Sequence, residues 1–223
     1  MNTKKGLFFV VDGTDGSGKA TQTKLLIGRL IERGLPTETV SFPRYGKKSA
    51  GPTEEYLARA YGDPTKLDAK IASTFYAVDR YAASFDIRAW LQAGRHVVAD
   101  RWVSSNMGHQ GGKISDPGAR LAFLKWNDEL EYGLFGLPQP DVSIILHVPA
   151  EIGQELANKR DGHADGHQDS LQHLRDAEAT YLEMARLFPE RFKLVECTRD
   201  GKLLPPDEIH KLVWQIIEPL LDR

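Results

Sequence analysis

An α/β domain is the fold this sequence predicts: a five-stranded, mainly parallel sheet with helices on both faces. Three observations point to it. Five short runs are rich in β-branched or aromatic residues, amphipathic helical stretches alternate with them, and a glycine-rich turn joins the first run to the first helix. That alternation places binding residues at the carboxyl ends of the strands.

The strands, in order, are "GLFFVVD", "TETVSFP", "RHVVAD", "DVSIILHV" and "RFKLVEC". Between them lie "KLLIGRLIERG", "DAKIASTFYAVDRYAASFDIRAWLQAG" and "GARLAFLKWNDELEYGLFG", each with helical spacing of apolar residues. Gly34 and Gly94 end the first two, where a left-handed cap suits glycine. "LPQPD" (Leu137 to Asp141) breaks the third, because proline cannot continue a helix. The C-terminal "DEIHKLVWQIIEPLLDR" reads as an amphipathic helix packed on the sheet, with no chemistry in it.

At 223 residues, 41% of them hydrophobic, the chain suits one domain with a packed core, residues 1–223. Lys plus Arg total 29 against 31 Asp plus Glu, a net charge of −2, so a nucleic-acid coat protein is not expected and phosphate chemistry needs a local basic cluster. The one cysteine, Cys197, forms no intrachain disulfide, and no segment suits a signal peptide or a bilayer span. A soluble, cytoplasmic protein without membrane partners is the expectation.

The turn after the first strand carries the chemistry. "DGTDGSGKAT" contains G-x-x-x-x-G-K, the loop whose backbone N–H groups cradle phosphates, over Gly13, Thr14, Asp15, Gly16, Ser17, Gly18 and Lys19. Lys19 adds a mobile ammonium. The next position, which normally holds magnesium through a hydroxyl, is Ala20, and Thr21 comes one residue too late to replace it. The phosphate reading survives, because amides and Lys19 need no hydroxyl there. Magnesium would then rest on phosphates, water and a carboxylate, with Asp100 at the end of "HVVAD" best placed, unless that residue is an ordinary strand-end cap.

Arg44, Arg80 and Arg101 fall where strands or helices would deliver them to one cleft. Singly each reads as a surface ion pair; together they suggest a second phosphate site, since planar guanidinium groups grip phosphate oxygens in pairs. The segment "NKRDGHADGHQDS" (Asn158 to Ser170) reads by composition as a solvated loop, with a lid over about residues 156–170 as the alternative. His163, His167 and His173 lie in or beside it without a cysteine, so no structural zinc is expected.

"DGTDGSGK", "FPRYG", "YAVDRYAAS", "DRWVSSNMGHQGG" and "LPQPD" occur in the order and approximate spacing of thymidylate kinases, and the chain resembles that family from Phe8 to about Ala185. The resemblance implies the three-layer P-loop NTPase fold with a short lid, and transfer of the γ-phosphoryl of ATP to dTMP with Mg2+. It implies that Asp15 touches the sugar 3′-hydroxyl and the phosphate–metal network, that Arg44 and Arg101 clamp the dTMP phosphate, and that Arg101 also meets the transferred group. Phe42 would wall the nucleotide, although it reads equally as core; Tyr76 would stack on thymine, Arg80 would reach the base edge, and Ser105, Asn106 and Gln110 would line base and sugar. His109 stands where the family often has a tyrosine that crowds the sugar 2′ position. No basic residue lies between Gly13 and Gly18, whereas the lid segment has two, so Arg160, with Lys159 as alternate, is expected to close over the phosphates beside Lys19. Gln168 replaces a usual glutamate while Asp165 keeps its carboxylate, a second departure on the metal side after Ala20. A homodimer through helices like Asp68 to Ala93 and the one beginning near Ser104 is also implied. A kinase for another pyrimidine monophosphate and a non-catalytic nucleotide binder remain as alternatives.

Overall fold

The computed structural model describes residues 5–161 and 168–222, with side chains at 160–161 and 168–170 outside that description. The expected sheet is present. β1 (Phe8–Gly13), β2 (Thr37–Ser41), β3 (His96–Asp100), β4 (Val142–His147) and β5 (Phe192–Glu196) pair in the order β2-β3-β1-β4-β5. Every pairing is parallel. β1 lies at the centre with all six residues buried, which explains its unbroken apolar run.

Alternation along β1 divides the core. Phe8 and Val10 face one side with Ile87, Met107, Phe123, Tyr181 and Met184. Phe9 and Val11 face the other with Leu26, Leu30, Ile209, Val213 and Ile217. The first side is covered by α3 (Ala69–Gln92), α4 (Val103–Gly111), α5 (Pro117–Asp128) and α7 (Gln168–Leu187); the second by α1 (Lys19–Glu32) and α8 (Pro206–Leu221). α2 (Gly51–Leu57) and α6 (Ala150–Asp161) flank the carboxyl ends of the strands.

Local signals set the boundaries. Gly34 and Gly94 take φ of 75° and 77°. At each the next N–H reaches back five residues, Leu35 to Leu30 and Arg95 to Trp90, completing a Schellman stop. Asp68 caps α3 by accepting from the N–H groups of Lys70 and Ile71, and Asp116 caps α5 through Ala119.

The structure differs from expectation in three places. The third helical stretch is α5 followed by a π-helical turn, Glu129–Leu134. A two-stranded antiparallel hairpin, β6 (Thr198–Arg199) with β7 (Lys202–Leu203), precedes α8. The polar segment read as a loop from Asn158 is helical through Asp161 and again from Gln168. His163, Asp165 and His167 lie outside the described residues, and no helix among those described is long and apolar enough to cross a membrane.

Candidate active site

The loop between β1 and α1 owes its shape to backbone that only glycine accepts. Gly13 has φ 141°, and a Cβ there would lie 2.5 Å from the carbonyl oxygen of Leu146. Gly16, at φ 79°, packs so closely on α6 that a Cβ would meet the Gly153 oxygen at 1.9 Å. Gly18 caps α1, whose first turn carries no acidic residue, so the positive end of the helix faces the loop without a neutralising side chain.

Lys19 is the first residue of α1 and bends back over the loop. Its Nζ donates to the Thr14 carbonyl at 2.7 Å and lies 3.8 Å from Asp15 Oδ1. Burial and then Arg101 push its pKa down to about 8, against the pull of Asp15, Asp12 and Asp100. An arriving polyphosphate would restore the full charge.

Arg101 follows β3 at φ 71°, held by its N–H to the Val11 carbonyl. Its Nη2 donates to Asp15 Oδ1 and its Nη1 faces His109 Nε2 at 3.0 Å. Burial would raise the Asp15 carboxyl, but Arg101 and then Lys19 outweigh it and hold it well below the usual carboxylate range.

Two clefts meet at this pair. The loop cleft, ≈ 380 Å³, is lined by Asp15 through Gln22, with Asp100 across from them and Leu156 and Ala157 of α6 at its edge. The second cleft, ≈ 440 Å³, takes in Phe42, Tyr76, Arg80, Ser105, Asn106, His109 and Gln110. Both volumes suit small organic ligands. Asp15 and Arg101 line both. The site thus consists of two chambers joined by one ion pair.

Most residues expected at a site are gathered here, although several are already engaged. Arg80 is buried with Nε and Nη2 on Glu131 at 2.5 and 2.8 Å, leaving the rest of its guanidinium to the second cleft. Asn106 donates to Glu131 and to the Ser73 carbonyl. Ser105 Oγ turns inward to Asp12. Arg44 is placed differently: Asp79 accepts from its backbone N–H and its Nε, and its Nη2 reaches Ser49. Pro43 and Tyr45, on either side of Arg44, line the second cleft, and Asp79 and Ser49 hold the Arg44 guanidinium beside it. Lys159 is exposed near the end of α6, outside both clefts, and the Arg160 and Gln168 side chains lie outside the described residues.

Three acidic residues central to the site were not singled out from the sequence. Asp12, fully buried at the end of β1, accepts from Ser104, Ser105 and Tyr181 hydroxyls and so ties the loop to α4 and α7. Glu131 and Asp79 seat Arg80 and Arg44. Tyr56, Lys113 and His173 also line the second cleft, with Lys113 Nζ 2.9 Å from the Tyr56 hydroxyl.

The residues fit a divalent cation on one side only. Asp100 Oδ1 is buried without a hydrogen-bond partner among the described residues, and burial, partly opposed by Lys19 and Arg101, raises its pKa. A dication would reverse that rise. Asp15, the other expected metal residue, already has Oδ1 committed to Arg101. Among the described residues no cluster of three His, Cys, Asp or Glu side chains could hold a metal by itself.

Fold and site together define a phosphotransferase of the P-loop class, with two ligand chambers facing one basic seam. The thymidylate kinase family model matches residues 11–204. Thymidylate kinase of Mycobacterium tuberculosis H37Rv is 31% identical over 187 residues, covering 80% of this chain and 86% of the relative. That of Thermomicrobium roseum is 31% identical over 222 residues, covering 97% and 96%. A solved thymidylate kinase from Candida albicans aligns with TM-score 0.75 at 23% identity, over 96% of this chain and 92% of that one, a likeness that bears on the fold alone. The chain belongs to the thymidylate kinase family.

Proposed function

We propose that this protein transfers the γ-phosphoryl group of ATP to dTMP, giving dTDP and ADP. The observation that carries the reading is the sharing of Asp15 and Arg101 by both clefts, because a phosphoryl group passing between two nucleotides must cross such a seam.

ATP belongs in the loop cleft, its phosphates against the loop amides, the start of α1 and Lys19. The Thr14 carbonyl accepts from Lys19 and from the Ser17 N–H and so shapes the loop, and Ala20 and Thr21 form the wall beyond it. dTMP belongs in the second cleft, phosphate toward Arg101. Tyr76 forms a ring wall for the base, set edge-on to Tyr56 at 6.0 Å. Arg80, Asn106 and Gln110 supply polar groups to its edge, and the Gln110 Oε1 has no partner among the described residues.

The acceptor phosphate is already nucleophilic at neutral pH, so the protein needs no base to generate an attacking group. Its task is to align two polyanions and cancel their repulsion. Lys19 does so from the loop cleft and Arg101 from the seam between the two clefts, and Asp15 holds both cations in place. Magnesium accompanying ATP would neutralise phosphate charge, with Asp100 and intervening water the part of this chain that would hold it. Lys159 and Arg160 belong to a closing segment in this reading, one that excludes water from the seam.

Two further assignments extend the reading. α3 presents Ile71, Val78, Tyr81 and Phe85 to solvent, a stripe at helical spacing that a second copy would cover, so we assign a homodimer through α3. A buried, free Cys197 suits the reducing interior of a cell. ADP formation measured in a coupled assay, with dTMP, dUMP, dCMP or no acceptor added, tests the central claim. Dependence on dTMP is expected; ADP release indifferent to every acceptor would reject it.

A further inference from the structure

Arg101 has a second anchor besides Asp15. Its Nη1 lies 3.0 Å from Nε2 of His109 on α4, and Nδ1 of His109 lies 3.4 Å from Nε2 of His173 on α7. The two imidazoles stack with centroids 5.5 Å apart and 24° between planes. Tyr181 closes the far side of His109 edge-on at 5.8 Å.

Chemistry fixes the protons in this row. A guanidinium has only donors, so His109 Nε2 must offer its lone pair. The ring proton of His109 then sits on Nδ1 and points at His173 Nε2, which must also be a lone pair. Both rings are therefore neutral and both carry hydrogen on Nδ1. A proton added at His109 Nε2 would face an Arg101 N–H, and one added at His173 Nε2 would face the His109 N–H. The surroundings agree with the geometry. Burial, then Arg101, His173 and Lys19 against Asp15, keep His109 well below the ordinary histidine range. Burial, then Lys113 against Asp15 and Asp176, lower His173. These are the charged groups that face the pair from the phosphate loop, α1, the β3–α4 turn, the end of α4 and α7, with the Tyr181 ring completing the enclosure.

We propose that His173, acting through His109, is a positioning residue for Arg101: two neutral imidazoles from α4 and α7 aim the guanidinium at the seam, and a proton added to either ring releases it. The proposal rests on the reading of Arg101 as the group that meets the transferred phosphoryl. It gives α7 a direct line to the seam that the phosphate loop does not supply.

Two measurements test it, and they fail separately. In 15N-histidine-labelled wild-type protein, imidazole correlation spectra at neutral pH should show His109 and His173 as Nδ1–H tautomers, their signals assigned by loss in His109→Gln and His173→Gln. An Nε2–H tautomer or an imidazolium at His109 overturns the proposal, whatever the activity. In steady-state assays with ATP and dTMP, His173→Gln should lower kcat by up to about 10²-fold, the scale for a misplaced group. KM for ATP should be unchanged, since His173 is not part of the loop cleft. The acid limb of the pH–rate profile should also move to lower pH, because an amide cannot take the proton. The acceptor phosphate itself titrates near pH ≈ 6, but equally in both proteins, so the comparison cancels it. Coincident acid limbs in wild type and variant overturn the proposal. If no deoxynucleotide is turned over, the functional reading fails while the tautomers still decide the inference.

Discussion

Arg80 and Glu131 form a two-pronged ion pair with side chains 1% and 0% exposed, directly beneath the second cleft. Asn106 and Asn127 donate to the same carboxylate, so α3, α4, α5 and the π-helical turn converge on it. The wide turn carries Glu131 inward, where an ordinary surface glutamate would point out. Its consequence is a guanidinium held rigid at the floor of the acceptor chamber.

Breaking that pair leaves a buried cation uncompensated. Glu131→Gln should therefore cost about 3–5 kcal/mol. In a chain of this size each kcal/mol moves the midpoint by roughly 2–4 °C, so thermal denaturation should show a fall on the order of 10 °C. A midpoint within a degree or two of wild type would mean that Arg80 finds another partner.

Arg101 serves function at a conformational cost. Its left-handed backbone costs an L-residue about 1–2 kcal/mol. Arg101→Ala should lower kcat by about 10²-fold or more, the scale for losing an electrostatic donor. Arg101→Gly should be as inactive yet melt higher than Arg101→Ala, because glycine is at ease at that φ. Near-wild-type turnover in either variant removes Arg101 from the mechanism, and a lower midpoint for the glycine variant removes the backbone argument.

His147, at the end of β4, sits between Glu178 Oε1 at 2.8 Å and Glu196 Oε2 at 2.6 Å, and Glu178 also accepts from the Ala150 N–H at the start of α6. Burial lowers its pKa, but the two carboxylates outweigh burial and raise it above the ordinary 6.5. The folded state then binds the proton more tightly than the unfolded state. The stabilisation is complete below pH 6.5 and is lost as pH rises through the folded value. Thermal midpoints of wild type and His147→Gln should therefore differ most near pH ~6 and converge towards pH ~9. A gap that stays constant across that range would assign His147 a role independent of its charge.

What the sequence disclosed, and what it hid, follows from the range of each interaction. The phosphate loop, the helix stops at Gly34 and Gly94 and the parallel sheet depend on neighbours within a few residues or on a simple period, so they were legible. Asp12 could be seen ending a strand, but its partner Tyr181 lies 169 residues away. Glu131 looked like one charge on a helical face, since neither its π-turn nor Arg80 announces itself locally. Arg44 was grouped with Arg80 and Arg101 by its place after a strand; Asp79, which captures it, is a helix residue whose inward direction only packing reveals. The β6–β7 hairpin was missed because two residues per strand carry no period.

Ala20 is exposed in the loop cleft at the position where related loops place a hydroxyl. Nothing in the fold forbids that hydroxyl: the neighbouring Lys19 turns back to Thr14, and the Asp100 carboxylate lines the same chamber with one oxygen unpartnered among the described residues. Ala20→Ser adds an oxygen ligand for a hard cation without displacing a packed group. The magnesium concentration giving half-maximal rate should fall several-fold, while KM for dTMP stays unchanged, because Ala20 does not line the second cleft. A magnesium titration superimposable on that of the wild type would show that Asp100, water and the phosphates already satisfy the ion, and that the hydroxyl has no place in this frame.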